Sequence, residues 1–289
     1  MENKTSKQQN FSPVTYATVA AVVLAGFWLS YTGALTPNNS LMSFEEQLLP
    51  SLGVVLPIRW GSLGAQMVEA GVIDPQKFEA LYEGRGGLPE DMKKLLYGSD
   101  TEEVRMTAEN SGILLNLLWA LGLGNKNPVL EEGPMQKYGD ASRFASTGGW
   151  TLAQGDTMDH YSKHEFIVLT LAQQELVERA SQNIYRPCCD NSVYFPDCNH
   201  GMAMLGLLEL MASQGVSEKE MYKVALQANA YWFPDTYLTI AKYLELKGSA
   251  FDKTDSKEIL GKNFSSASGY SKVLEEVQPS DPRGGSCGV

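Results

Sequence analysis

The chain has 289 residues, 43% hydrophobic and 20% charged, with a formal net charge of -11. That length can bury a core that folds without a disulfide framework. The acidity argues against nucleic acid as a partner, because a phosphate backbone is bound through Lys and Arg.

From Phe11 to Leu35 the sequence "FSPVTYATVAAVVLAGFWLSYTGAL" carries no charged residue. It is long enough to cross a bilayer as a helix. Lys4 and Lys7 precede it and no Lys or Arg follows until Arg59, so the basic side is expected in the cytoplasm and the rest outside. Phe27, Trp28 and Tyr31 would sit at the outer interface. A cleaved signal peptide is the rival reading, with Thr32 and Ala34 as small residues before a cut. Either reading exports the body of the chain. The expected organisation is a cytoplasmic terminus over 1–10, an anchor or signal segment over 11–35, an extracytoplasmic helical domain over 36–275 and a flexible tail over 276–289.

Helix signals follow in succession, and the fold class they predict is all-α. Ser43 with Glu46 forms a capping box. "DPQKFEALYEG" offers Asp74 as N-cap, Pro75 as first helical residue and Gly84 as stop. "LPEDMKKLLYG" repeats the design. A helix is expected from Thr101 to Gly122, acidic at its start and apolar almost all round in its second half, as a centrally buried helix would be. A long helix is expected from about Thr157 to Asn183, introduced by Asp156 and Asp159. An irregular segment over 184–199 comes next, then a helix from His200 to Ser213 with Asn199 as N-cap. Ser217 to Glu220 opens another helix through a capping box, and Asp235 caps the one that stops at Gly248. Strand-like alternation is nearly absent.

Three of the four cysteines and all three histidines fall between residues 160 and 200. On a helix, His160 and His164 lie four apart on one face, continued by Ile167, Val168 and Leu171 toward the core. Cys188, Cys189, Cys198 and His200 belong to the coil that follows, so the expected site gathers thiols and imidazoles on a common copper or zinc ion. Consecutive side chains diverge, so Cys188 and Cys189 are not expected to share one tetrahedral position pair. At a helix start, the dipole and free N–H groups favour a thiolate at Cys198. Asp156, Asp159 and Asp197 are candidates to orient imidazoles or to cap helices. Tyr185, Arg186, Tyr194 and Phe195 are expected to stiffen and shield the coil.

The patterns of covalent haem, of a four-thiolate iron–sulfur cluster and of H-E-x-x-H proteases are missing, since Tyr161 stands at the Glu position. The expected function is a membrane-anchored extracytoplasmic metal-binding protein acting in metal handling or metal-assisted redox chemistry. The alternative is a disulfide-stapled helical subunit or assembly factor of a membrane complex, with Cys198 bonded to Cys188 or Cys189. A redox-active thiol pair and a zinc hydrolase with Glu165 or Asp159 as base complete the set.

Overall fold

The helix stop and start signals are met at most of the expected places in a computed structural model that describes residues 44–99 and 103–277. After α1 (Phe44–Leu48) and β1 (Val54–Leu56) come α2 (Leu63–Glu69) and α3 (Pro75–Glu83). The Asp74 carboxylate accepts from the N–H groups of Gln76 and Lys77, and Pro75 is the first helical residue. Then come α4 (Glu90–Tyr97), β2 (Val104–Met106), α5 (Ser111–Gly124) and the single turn α6 (Pro128–Glu131). The second half holds α7 (Leu171–Asn183), α8 (Asn199–Ser213), α9 (Glu218–Trp232) and α10 (Pro234–Leu246). Three further helices, α11 (Ser256–Ile259), α12 (Lys262–Ser265) and α13 (Ala267–Val277), were not expected from the sequence. The described fold is mostly helical, with β1 and β2 paired antiparallel, Val55 opposite Arg105.

Two expected helices are shorter than their patterns suggest, each for a local reason. Helix α5 begins at Ser111 rather than near Thr101. Just before it, Thr107 and Asn110 exchange side-chain bonds with each other's backbone N–H, at 2.8 and 3.2 Å, and Asn110 also donates to the Arg105 carbonyl. Such bonds offer the backbone an alternative to the helical ladder.

The helix expected over Thr157 to Asn183 forms only from Leu171. Thr157–Asp159 makes a 3-10 turn, Ser162 takes a left-handed φ of 53°, and His164 pairs as extended backbone with Asn125. The N–H groups of Ser162 and His164 go to the carbonyls of Leu123 and Gly124, and that of Ile167 goes to the Asn125 side chain. The segment thus caps the last carbonyls of α5, which have no partner within their own helix. Val168 and Leu171 are 75% and 86% exposed, so of the face expected to point inward only Ile167 does so. The true start of α7 is a capping box between Thr170 and Gln173.

The core centres on α5 and α8. Nearly every residue of both is buried. Trp232 donates from its indole N–H to the Ser111 carbonyl at the start of α5, and its ring meets that of His200 at the start of α8. At the other end, Asn125 donates to Glu209 of α8 at 2.9 Å. The two helices therefore run in the same sense. They approach closely because glycines face each other: a Cβ on Gly206 would lie 2.5 Å from the Leu118 carbonyl oxygen, and one on Gly122 would overlap the Met202 carbonyl.

Among the described residues no helix is long and apolar enough to cross a membrane. The segment 11–35, Ser43 of the first capping box and the tail with Cys287 lie outside them.

Candidate metal centre

The coil between α7 and α8 is organised around a buried cation. Arg186 has no exposed surface. Its Nη1 donates to the Asn191 carbonyl at 2.9 Å, and its Nη2 donates to Asp197 Oδ1 at 2.7 Å and to the sulfur of Cys198 at 3.3 Å. Asn191 ties back by donating to the other Asp197 oxygen at 2.8 Å. A buried charge of this kind is tolerated only when paired and hydrogen-bonded, so chain segments 191 and 195–198 must wrap around the guanidinium. Gly201, on the first turn of α8, makes the room: a Cβ there would lie 2.5 Å from Arg186 Nη2. The sequence carries one signal for this role of Arg186, an Arg inside a run dense in Cys, Asp and Pro.

The same wrapping draws the coil's sulfurs together. Cys198 is the N-cap of α8, and its sulfur accepts the Gly201 N–H at 3.4 Å, so the capping role expected of Asn199 belongs to Cys198. The sulfur of Cys188 lies 3.4 Å from that of Cys198. Ligand atoms of Cys188, Cys198 and His200 all lie within 4.8 Å of one another, as do those of Cys189, Asp197 and Cys198. Consecutive Cys188 and Cys189 thus belong to two groups that share Cys198. The outer side of the coil is fixed by α13, since Ala267 donates to the Cys189 carbonyl and Ser268 to Asp190 Oδ1.

Negative charge among the three sulfurs settles on Cys198. Hydrogen bonds from the Cys188 and Cys189 thiols, assisted by His200 and the Arg186 guanidinium, hold its thiol far below the usual range against the effect of burial. Cys188 is pushed far up by its hydrogen bonds with Cys189 and Cys198 and by burial. For Cys189 the hydrogen bond with Cys188 works downward, but the one to Cys198 and burial outweigh it and push the thiol up to about 11.

His200 completes the first group. Its ring packs on Phe233 with centroids 4.4 Å apart and on Trp232 at 5.8 Å. Its Nδ1 is buried and has no hydrogen-bond partner. A buried imidazole nitrogen without a partner is costly, and a metal ion is one group that would satisfy it.

His160 and His164 are brought together, but with each other rather than with the thiols. His160 Nδ1 and His164 Nε2 are 3.1 Å apart, and His160 Nε2 lies 2.9 Å from the Gln154 carbonyl. A carbonyl only accepts, so His160 Nε2 carries the proton. His164 stacks in turn on Phe166. The pair sits by Asn125, whose partner Glu209 is nine residues beyond His200 on α8, about 14 Å of helix rise. The expected convergence of both imidazoles with the thiols is therefore corrected. They cap the end of α5, whereas the thiols sit by the start of α8. Glu165 and Asp159, the candidate hydrolase bases, go with that distant segment. Asp156 caps the 3-10 turn through the Met158 N–H.

No protein-family model matches the chain, and neither the curated proteins nor the solved structures contain a significant match to it.

Proposed function

We propose that the chain is a metal-binding protein in which Cys188, Cys198 and His200 hold a copper or zinc ion, with Cys189 and Asp197 beside it. The observation that carries this reading is the group of two sulfurs and an imidazole within 4.8 Å. In a tetrahedral zinc site with Zn–S bonds of about 2.3 Å, sulfurs are separated by about 3.8 Å. The 3.4 Å between Cys188 and Cys198 needs only a small opening to reach that value. The donor set suits zinc, and its soft sulfurs suit Cu(I) equally well. The partnerless Nδ1 of His200 supports the same reading.

Export and anchoring by residues 11–35 are part of the proposal and rest on the charge-free run and the placement of Lys4, Lys7 and Arg59. Metal handling outside the cytoplasm, or a metal-assisted redox step there, is the corresponding role. The second reading, a stapled helical subunit of a membrane complex, draws on the same short distance between Cys188 and Cys198. Metal analysis with thiol counting on the full-length chain separates the two. One tightly held ion with reduced thiols supports the metal site, and a disulfide with no ion supports the staple.

A further inference from the structure

Cys198 is the central sulfur of its group, within 4.8 Å of both other thiols. Cys188, its nearest sulfur neighbour, is the exposed one, whereas Cys189 and Cys198 are partly covered. Closing from 3.4 Å to the disulfide bond length of about 2.0 Å asks for a movement of less than one carbon–carbon bond length in a coil without helical constraints at Cys188. That same closure would remove both sulfurs that the proposed metal site requires. We propose that Cys188 and Cys198 form a redox gate, in which thiol–disulfide exchange with a low-molecular-weight disulfide joins the two sulfurs and ejects the ion. This inference rests on the metal-binding reading.

The chemistry balances without a further oxidant. One protein sulfur attacks the small disulfide RSSR, forming a mixed disulfide and releasing one RS⁻. The second protein sulfur then attacks the protein-bound sulfur of that mixed disulfide, forming the Cys188–Cys198 bond and releasing the second RS⁻. Two protein thiolates are oxidised, one RSSR is reduced to two thiolates, and the metal ion departs with the charge that the two ligands no longer supply. In the metal-loaded chain both sulfurs would be held as thiolates, so access selects the order: the exposed Cys188 meets RSSR first, and Cys198 resolves.

The surroundings make the gate reversible. The Cys198 sulfur accepts hydrogen bonds from Arg186 Nη2 and the Gly201 N–H. These are strong toward a thiolate and weak toward a disulfide sulfur, so the reduced, metal-competent form is the favoured one. A stabilised reduced form raises the reduction potential of a disulfide. Reopening takes two small thiolates RS⁻, which reverse the two exchange steps and leave as RSSR; Cys189, outside the closed pair, stays a thiol throughout.

The test uses the reduced full-length chain in detergent, loaded with zinc alone and titrated with oxidised glutathione. Zinc release is followed with a chromogenic chelator, and the cysteines are mapped by alkylation and mass spectrometry. The gate requires one zinc released for each two thiols lost, an internal Cys188–Cys198 bond and an alkylated Cys189; in Cys189→Ser, zinc release should still accompany formation of the Cys188–Cys198 bond. In Cys188→Ser, checked for native helicity, no Cys188–Cys198 bond can form and a glutathione adduct should persist. Zinc retained after two thiols are lost, a bond made through Cys189, or thiols left unreacted in the metal-free chain would overturn the gate while leaving the metal site standing. A reduced chain that binds neither zinc nor Cu(I), yet still forms the disulfide, would overturn the metal reading itself and with it the gate.

Discussion

The guanidinium of Arg186 bridges Asp197 Oδ1 at 2.7 Å and the sulfur of Cys198 at 3.3 Å from a position with no exposed surface. One buried cation thus fixes both the fold of the coil and the sulfur at its centre. Replacing it by Met should cost about 3–5 kcal/mol, because Asp197 and the Cys198 thiolate would lose their counter-charge. Arg186→Lys keeps the charge but cannot reproduce the fork that reaches Asn191, Asp197 and Cys198 together. It should be destabilised less than the Met variant and still bind metal more weakly than the native chain. Denaturant unfolding with parallel metal titration checks both.

The two histidine environments separate sharply in their expected metal phenotypes. His200→Ala removes a proposed ligand and should weaken zinc binding by more than the roughly 10–100-fold typical of losing a supporting partner. His164→Ala, which the sequence alone would place among the ligand losses, should leave zinc stoichiometry unchanged. Equal losses in both variants would contradict the separation of the two sites.

His164 should make the fold acid-sensitive. Burial, together with the neighbouring His160, holds His164 below the ordinary imidazole value of 6.5. A group whose folded value is depressed contributes stability that is present above its unfolded value and lost as pH falls below it. Stability should therefore drop on acidification from about pH 6.5, with a slope of at most about 1.4 kcal/mol per pH unit. His164→Phe, which preserves stacking on Phe166, should flatten that limb. Thermal unfolding across pH 5 to 8 reads it.

Glu209 should act with the opposite sign. It is fully buried on α8, its Oε2 accepts from Asn125, and burial raises its carboxyl well above 4.5 despite hydrogen bonds from Asn125 and Asn127. The folded chain keeps the proton that the unfolded chain releases, so this term is fully present below pH 4.5 and is lost as pH rises. Glu209→Gln should match the native chain near pH 4 and exceed it in stability by a margin that grows toward pH 7. A constant difference across that range would rule out a protonated Glu209.

The contact between α5 and α8 tolerates no added volume. Gly206→Ala places a methyl 2.5 Å from the Leu118 carbonyl oxygen, and overpacking of this kind should cost about 1–3 kcal/mol. Gly84→Ala, where an added Cβ meets nothing within 4 Å, should change stability far less.

Much of the fold was legible where the governing interaction is local. Asp74 with Pro75, the Ser217 cap and the all-round apolar run of α5 rest on neighbours within a turn, and each is realised. The helix through His160 was not legible correctly, because its N–H groups are claimed by carbonyls of α5 some forty residues away. The Thr170–Gln173 capping box did mark the true start, but the apolar residues before it masked the signal. For the candidate site, the density of cysteines pointed to the coil where the sulfurs gather, and His200 to the helix start beside them. The meeting of Cys188 and Cys189 with Cys198, and the buried Arg186 that donates to the Cys198 sulfur, depend on how the coil wraps in three dimensions. Spacing alone could not supply either.

X-ray absorption at the zinc edge of the reduced, zinc-loaded full-length chain tests the central claim most directly. The proposed site requires at least two sulfurs at about 2.3 Å and a nitrogen at about 2.0–2.1 Å, with the nitrogen lost in His200→Ala and kept in His164→Ala. A shell of nitrogen and oxygen without sulfur, or zinc removed by dialysis while all thiols stay reduced, would contradict it.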